Sequence, residues 1–118
     1  MSSSVFSRII AGEIPADILW QDDLCIVIRD IQPQAPVHLL VIPKKPLRSL
    51  TDAQKEDKAL LGHLMLVAAD MAKQQGIGDG FRLVANNGKA AGQTVFHLHF
   101  HVLGGKRYRE ADTHQNIV

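Results

Sequence analysis

The chain has little from which to build a disulfide framework, a membrane span or a nucleic-acid surface. It holds one cysteine, Cys25, so no internal disulfide can form and a reducing cytoplasm is the expected compartment. Cys25 lies in the apolar run Leu24-Cys25-Ile26-Val27-Ile28 and is expected to be a buried, inert thiol. The apolar runs are only strand-length, far short of the ~20 residues of a membrane helix. Met1-Ser2-Ser3-Ser4 leads straight into a patterned segment, without the charged and apolar stretches of a secretory signal. Thirteen Lys and Arg stand against twelve Asp and Glu, a net charge of +1, with no basic block. Nothing therefore points to a nucleic-acid partner. There are no repeats and no low-complexity segments. What is present is 118 residues, 46% apolar and 21% charged, the profile of one soluble domain large enough to bury a core.

The most informative stretch is Phe96-His97-Leu98-His99-Phe100-His101-Val102-Leu103-Gly104-Gly105. Three of the six histidines alternate with apolar residues. Period two is the period of a β-strand, whose successive side chains point to opposite faces. Leu98, Phe100 and Val102 would enter a core, and His97, His99 and His101 would line the other face. Three readings compete for that row. A merely solvated face would normally use Thr, Lys, Glu or Ser. A metal site would need close ligands, yet His97 and His101 would stand roughly 13 Å apart along a straight strand, and zinc takes nitrogen at about 2.0–2.1 Å. Catalysis suits the residue type, because imidazole titrates near neutral pH and can be nucleophile, acid or base.

Elsewhere the pattern predicts an α+β domain with antiparallel strands. Val5 to Ala11 has helical spacing and ends at Gly12. Ile18 to Gln21 and Leu24 to Arg29 form a hairpin turned by Asp22-Asp23. Asp30 to Pro36 is a loop. His38 to Pro43 is apolar on both sides, as a central strand would be. Thr51 with Gln54 reads as a capping box for a helix over about 52–75, whose stripe includes Leu60, Leu64, Val67, Ala68 and Met71. His63 on that helix reads as structural. Phe81 to Asn86 is a fourth strand. Asn87 to Gln93 is a glycine-rich loop whose backbone N–H groups, with the Thr94 hydroxyl, could cradle a phosphate. Residues 106–118 read as a polar surface tail, with His114 incidental.

The run His97-Leu98-His99-Phe100-His101-Val102-Leu103 resembles the His-φ-His-φ-His-φ-φ motif (φ apolar) of the histidine triad family. Further segments resemble its branch of nucleoside phosphoramidases. These are Phe6 to Pro15, Asp30-Ile31, Pro33 to Pro36, His38, Val41 to Lys45, and Gly92-Gln93, so the likeness runs from about residue 5 to residue 105. It implies a HIT-like five-stranded antiparallel sheet with one long and one short helix. It also implies a single domain over 1–118 and a homodimer whose two sheets join into ten strands.

The resemblance implies hydrolysis of adenosine or guanosine 5′-phosphoramidates through a nucleotidyl-histidine, with no cofactor and no metal. His99 matches the nucleophile. His101 matches the residue that binds phosphate and assists the leaving group, and His97 and His38 match supporting histidines. Asn86, Gly92, Gln93 and Thr94 match phosphate and leaving-group positions. Asp30 matches a ribose-binding carboxylate, and Ile9, Ile28 and Ile31 match an apolar slot for the base. Ala91 stands where Gly is usual, Thr94 where Ser is common, and the tail lacks a Trp-Pro-rich ending. The alternatives are a dinucleoside polyphosphate hydrolase, as in another branch of the family, and a non-catalytic purine nucleotide-binding module. Ile14-Pro15 and Lys44-Lys45 favour the phosphoramidase.

Overall fold

A computed structural model describes residues 4–110. The first helix, α1 (Val5–Ile10), is capped by Ser4, whose hydroxyl accepts the Ser7 N–H at 3.0 Å. Strands β1 (Ile18–Gln21) and β2 (Cys25–Arg29) follow, then β3 (Val37–Pro43). The long helix is α2 (Lys58–Gln74), and the last strands are β4 (Phe81–Val84) and β5 (Phe100–Gly104). The five strands form one antiparallel sheet in the order β1-β2-β3-β5-β4. Among the described residues no helix is long and apolar enough to cross a membrane.

The sheet is covered on both faces, and alternation sorts its residues between them. Cys25, Val27, Leu39, Val41, Phe100 and Val102 pack with Leu64, Val67, Ala68 and Met71 of α2. Ile26, Ile28, Leu40 and Ile42 pack with Phe6 and Ile9 of α1. This explains why β3 reads as an unbroken apolar run: it is central and its Leu39, Leu40, Val41 and Ile42 are all buried.

Three boundaries differ from the sequence expectation by more than one residue. The long helix begins at Lys58, not near Asp52, because Ala53 is extended and the chain makes two separate 3₁₀ turns first. The capping box that forms is Gln54 with Asp57, whose Oδ2 accepts the Gln54 N–H at 2.8 Å. Thr51 instead donates its N–H to Asn87 Oδ1 at 3.0 Å. The fifth strand begins at Phe100, so only His101 of the three histidines lies within it. Its register, Val41 opposite Phe100, would go on to set Ile42 against His99 and Pro43 against Leu98. Proline has no N–H to give, and its carbonyl is taken by the His97 side chain at 2.7 Å. Leu98 turns its own N–H to Leu47 O at 2.7 Å. The fourth strand stops at Val84 rather than Asn86.

The chain after β5 folds back on β4: Tyr108 stacks under the Arg82 guanidinium at 4.4 Å, and Arg82 donates to Arg109 O at 2.7 Å. The rest of the expected tail, 111–118 with His114, lies outside the described residues, as do 1–3.

Gly105 ends β5 with φ +89°, and a Cβ there would stand 2.9 Å from Pro36 Cβ. Strain and overlap with a rigid ring coincide at the loop that leads into β3. Gly105→Ala is expected to lower stability by about 1–3 kcal/mol, read by urea denaturation. An unchanged midpoint would show that the loop yields freely.

Candidate active site

The proton positions in the histidine row follow from groups that can only donate or only accept. Leu40 lies opposite His101 in the β3–β5 ladder, so His38 and His101 are diagonal neighbours on one face. The Gln34 N–H donates to His38 Nδ1 at 3.0 Å. That nitrogen must be an acceptor, which puts the His38 proton on Nε2. His38 Nε2–H then donates to His101 Nδ1 at 2.9 Å, with Asp30 Oδ2 at 3.4 Å as a second acceptor. His101 consequently carries its proton on Nε2. Asp30 is held by the Gln32 N–H, which reaches its Oδ1 at 2.8 Å.

Burial lowers the pKa of His38, against the pull of Asp30. Burial also lowers that of His101, reinforced by His99 and His38, to about 4.

His99 is oriented by its own chain. Its Nδ1 lies 2.8 Å from the His97 carbonyl oxygen, which can only accept, so Nδ1 carries the proton. Nε2 is left as a bare lone pair with no hydrogen-bond partner among the described residues. Burial lowers the His99 pKa, although the bond to His97 opposes the shift. The lone pair is therefore available at neutral pH. The His99 and His101 rings lie 5.1 Å apart, and Phe6 of α1 packs edge-to-face on His99 at 4.9 Å.

His97 is buried and faces the scaffold. Its Nε2–H donates to Pro43 O at 2.7 Å, and Ser4 Oγ lies 3.5 Å from its Nδ1. It fixes the turn into β5 and so aims the carbonyl that holds His99.

The loop before the row is shaped by Gln93. Its Oε1 accepts the Gly88 N–H at 2.8 Å, and its Nε2 donates to Arg48 O at 2.7 Å and Val95 O at 3.0 Å. The N–H groups of Gly92 and Gln93 are bonded to Lys89 O and Gly88 O. Gly92 has φ +93°, which the turn requires. Both residues thus work within the loop, whereas Thr94 is exposed, with no hydrogen bond to its hydroxyl or N–H among the described residues. The β4–β5 ladder ends at Val84 opposite His101, and Asn86 follows two residues beyond it.

A family model described as "HIT domain" matches residues 11–108. The chain belongs to the HIT family. It is 60% identical to an uncharacterized HIT-like protein of Synechocystis over 89% of this chain and 92% of that protein. It is 47% identical to the purine nucleoside phosphoramidase of Escherichia coli, over 87% of each. Among solved structures it matches a HIT family hydrolase of Legionella pneumophila with a TM-score of 0.89 and 39% identity, covering 92% of this chain and 97% of that one.

In this HIT chain His97, His99, His101, His38 and Asp30 come together. Ile9 and Ile28 are buried beneath the row with Phe6, while Ile31 is 93% exposed. Residues that sequence reasoning missed are Phe6, Ser4, Gln34 and Pro43. Gln34 and Pro43 act through backbone groups, and Ser4 lies 93 positions from His97, so no local pattern announces any of them. Ligand atoms of Asp30, His38 and His101 also lie within 4.8 Å of one another. An ion there would have to replace the hydrogen bond joining the two histidines.

An unfolded His101 would titrate near 6.5 and the folded one near 4, so the unfolded chain binds more protons between those values. Stability should fall as pH drops from about 6.5 to about 4, with His38 and His99 contributing in the same sense. His101→Gln should flatten part of that slope in denaturation curves taken across the window. A wild-type profile flat over this range would contradict it.

Proposed function

We propose that this chain is a purine nucleoside phosphoramidase that cleaves the phosphorus–nitrogen bond of adenosine or guanosine 5′-phosphoramidates. The observation that carries the reading is the bare Nε2 of His99, fixed by the His97 carbonyl beside the Nε2–H of His101. Its family membership and its 47% identity to the Escherichia coli enzyme support the same choice.

In the first step His99 Nε2 attacks phosphorus. A phosphorus–imidazole bond forms as the phosphorus–amine bond breaks. The positive charge that develops on His99 is stabilised through its Nδ1–H by the His97 carbonyl. The bound phosphoryl anion raises the proton affinity of the His101 side of the row, which supplies the proton taken by the leaving amine. In the second step water attacks phosphorus and gives its proton back to His101, the phosphorus–imidazole bond breaks, His99 leaves as neutral imidazole and the nucleoside monophosphate is released. The covalent route replaces one hard displacement by two easier ones. Asp30 would meet the ribose, Ile31 with the edges of Ile9 and Ile28 the base, and Thr94 with Asn86 the phosphoryl and leaving groups. In this reading Gly92 and Gln93 keep the loop in shape, and His38 and His97 orient the reacting rings. The functional unit is a homodimer whose sheets join at β4, an edge strand that leaves Leu83 exposed. Light scattering should give twice the chain mass.

The deciding assay is AMP release from adenosine 5′-phosphoramidate in EDTA. Wild-type protein should turn over, and His99→Ala should lose more than about 10³ in rate while still binding AMP. Equal loss of binding would make His99 a ligand rather than a nucleophile. Faster turnover of a dinucleoside polyphosphate would move the assignment to that substrate class. Because the folded His99 pKa is lowered, the acid limb of kcat/KM should fall below 6.5, as protonation of Nε2 removes the nucleophile.

A further inference from the structure

A second cluster of titratable groups lies across the sheet from the histidine row. Cys25 opens β2 and packs into the cluster beneath α2, whereas the row lies against Phe6 of α1. Asp22 occupies the β1–β2 turn, and His63 stands in the second turn of α2. His63 Nε2 is 2.7 Å from Asp22 Oδ2, and Cys25 Sγ is 3.7 Å from the same oxygen. One ligand atom from each residue falls within 4.8 Å of the others.

We propose that Asp22, Cys25 and His63 form a zinc-type site that takes one divalent cation and clips α2 to the β1–β2 turn.

The donor set of thiolate, imidazole and carboxylate is the one that a borderline-soft tetrahedral ion accepts, and hard ions such as magnesium avoid it. The carboxylate is already aimed. Its Oδ1 accepts the N–H groups of Leu24 and Cys25, each at 2.8 Å, which turns Oδ2 toward the thiol and the imidazole. Trp20 Nε1–H supports Oδ2 from outside at 3.1 Å. The spacing needs little adjustment. Around a tetrahedral zinc, oxygen and sulfur ligands would sit about 3.6 Å apart and oxygen and nitrogen about 3.4 Å. The first pair is already there, and the second opens by a rotation of His63, whose side chain is one-third exposed. Solvent on that side supplies the fourth position.

The charges also close. A dication with one thiolate and one carboxylate is neutral, which suits a site against the core. Without it, burial and then the Asp22 charge raise the Cys25 thiol to about 12, so the sulfur keeps its proton. Binding releases that proton to solvent and moves the His63 proton from Nε2 to Nδ1. Lys44 near the sulfur favours the thiolate.

Cobalt(II) titration of chelator-treated full-length protein tests the site. Wild type and His99→Ala should each bind one cobalt with a thiolate-to-cobalt charge-transfer band in the near ultraviolet and intense tetrahedral bands in the visible. Cys25→Ser should lose the ultraviolet band. His63→Gln, at a partly exposed position, should fold normally and bind cobalt at least about tenfold more weakly. At equal zinc concentration the Tm of wild type should rise more than that of His63→Gln. Cobalt binding without the thiolate band, a band indifferent to His63→Gln, or no binding would each overturn the proposal.

Discussion

One backbone N–H, that of Gln34, sets the direction of the hydrogen bonds between His38 and His101. It forces His38 Nδ1 to accept, which forces Nε2 to donate to His101, which leaves the His101 proton on the opposite nitrogen. The Asp30–Pro36 loop is therefore part of the chemistry, although the row lies on another strand. A second backbone group, the His97 carbonyl, performs the complementary task for His99 and leaves that ring a lone pair instead of a proton. Side chains of one chemical type thus acquire different roles from the polarity of the groups behind them.

The sheet keeps these roles apart from the core by strict alternation. β3 and β5 present Leu39, Val41, Phe100 and Val102 to α2 and His38, Leu40 and His101 to the other face. Desolvation from both layers lowers the histidine pKa values, and the same sheet raises the thiol of Cys25 on its far face. Burial disfavours the charged form in each case. The result is neutral imidazole on one side and a protonated thiol on the other, unless a cation supplies the missing charge.

The five strands, the short and the long helix and the two faces of the histidine row were legible because they depend on period, whereas the place of His38 beside the row came with the family resemblance. The period-two row read correctly as two faces even though regular pairing covers only its second half. The boundaries that moved, and the partners of Gln93 and His63, were legible only in three dimensions. The helix start moved because Asp57, tied to Lys45 from the end of β3, outcompeted Thr51 as a capping partner. The strand start moved because the His97 ring took the Pro43 carbonyl. Gln93, read as a ligand position, has its donors and acceptor engaged by Gly88, Arg48 and Val95. His63 read as structural, and its carboxylate partner lies 41 residues away.

Under the proposed function, the hydrogen bonds of the row also bear on which histidine would act on phosphorus. His97 has both nitrogens facing protein, one on Pro43 O and one toward Ser4 Oγ. His38 is bonded at both nitrogens as well, to Gln34 and to the His101–Asp30 pair. His101 has a free Nε2, but that nitrogen bears a proton as long as His38 donates to its neighbour. Within the row, among the described residues, only His99 combines a free nitrogen with a lone pair, and its lowered proton affinity keeps the pair unmasked near neutral pH. In the proposed reaction these bonds favour the middle position as nucleophile, and exchanging the roles of His99 and His101 would require reversing Gln34, a backbone amide that cannot accept.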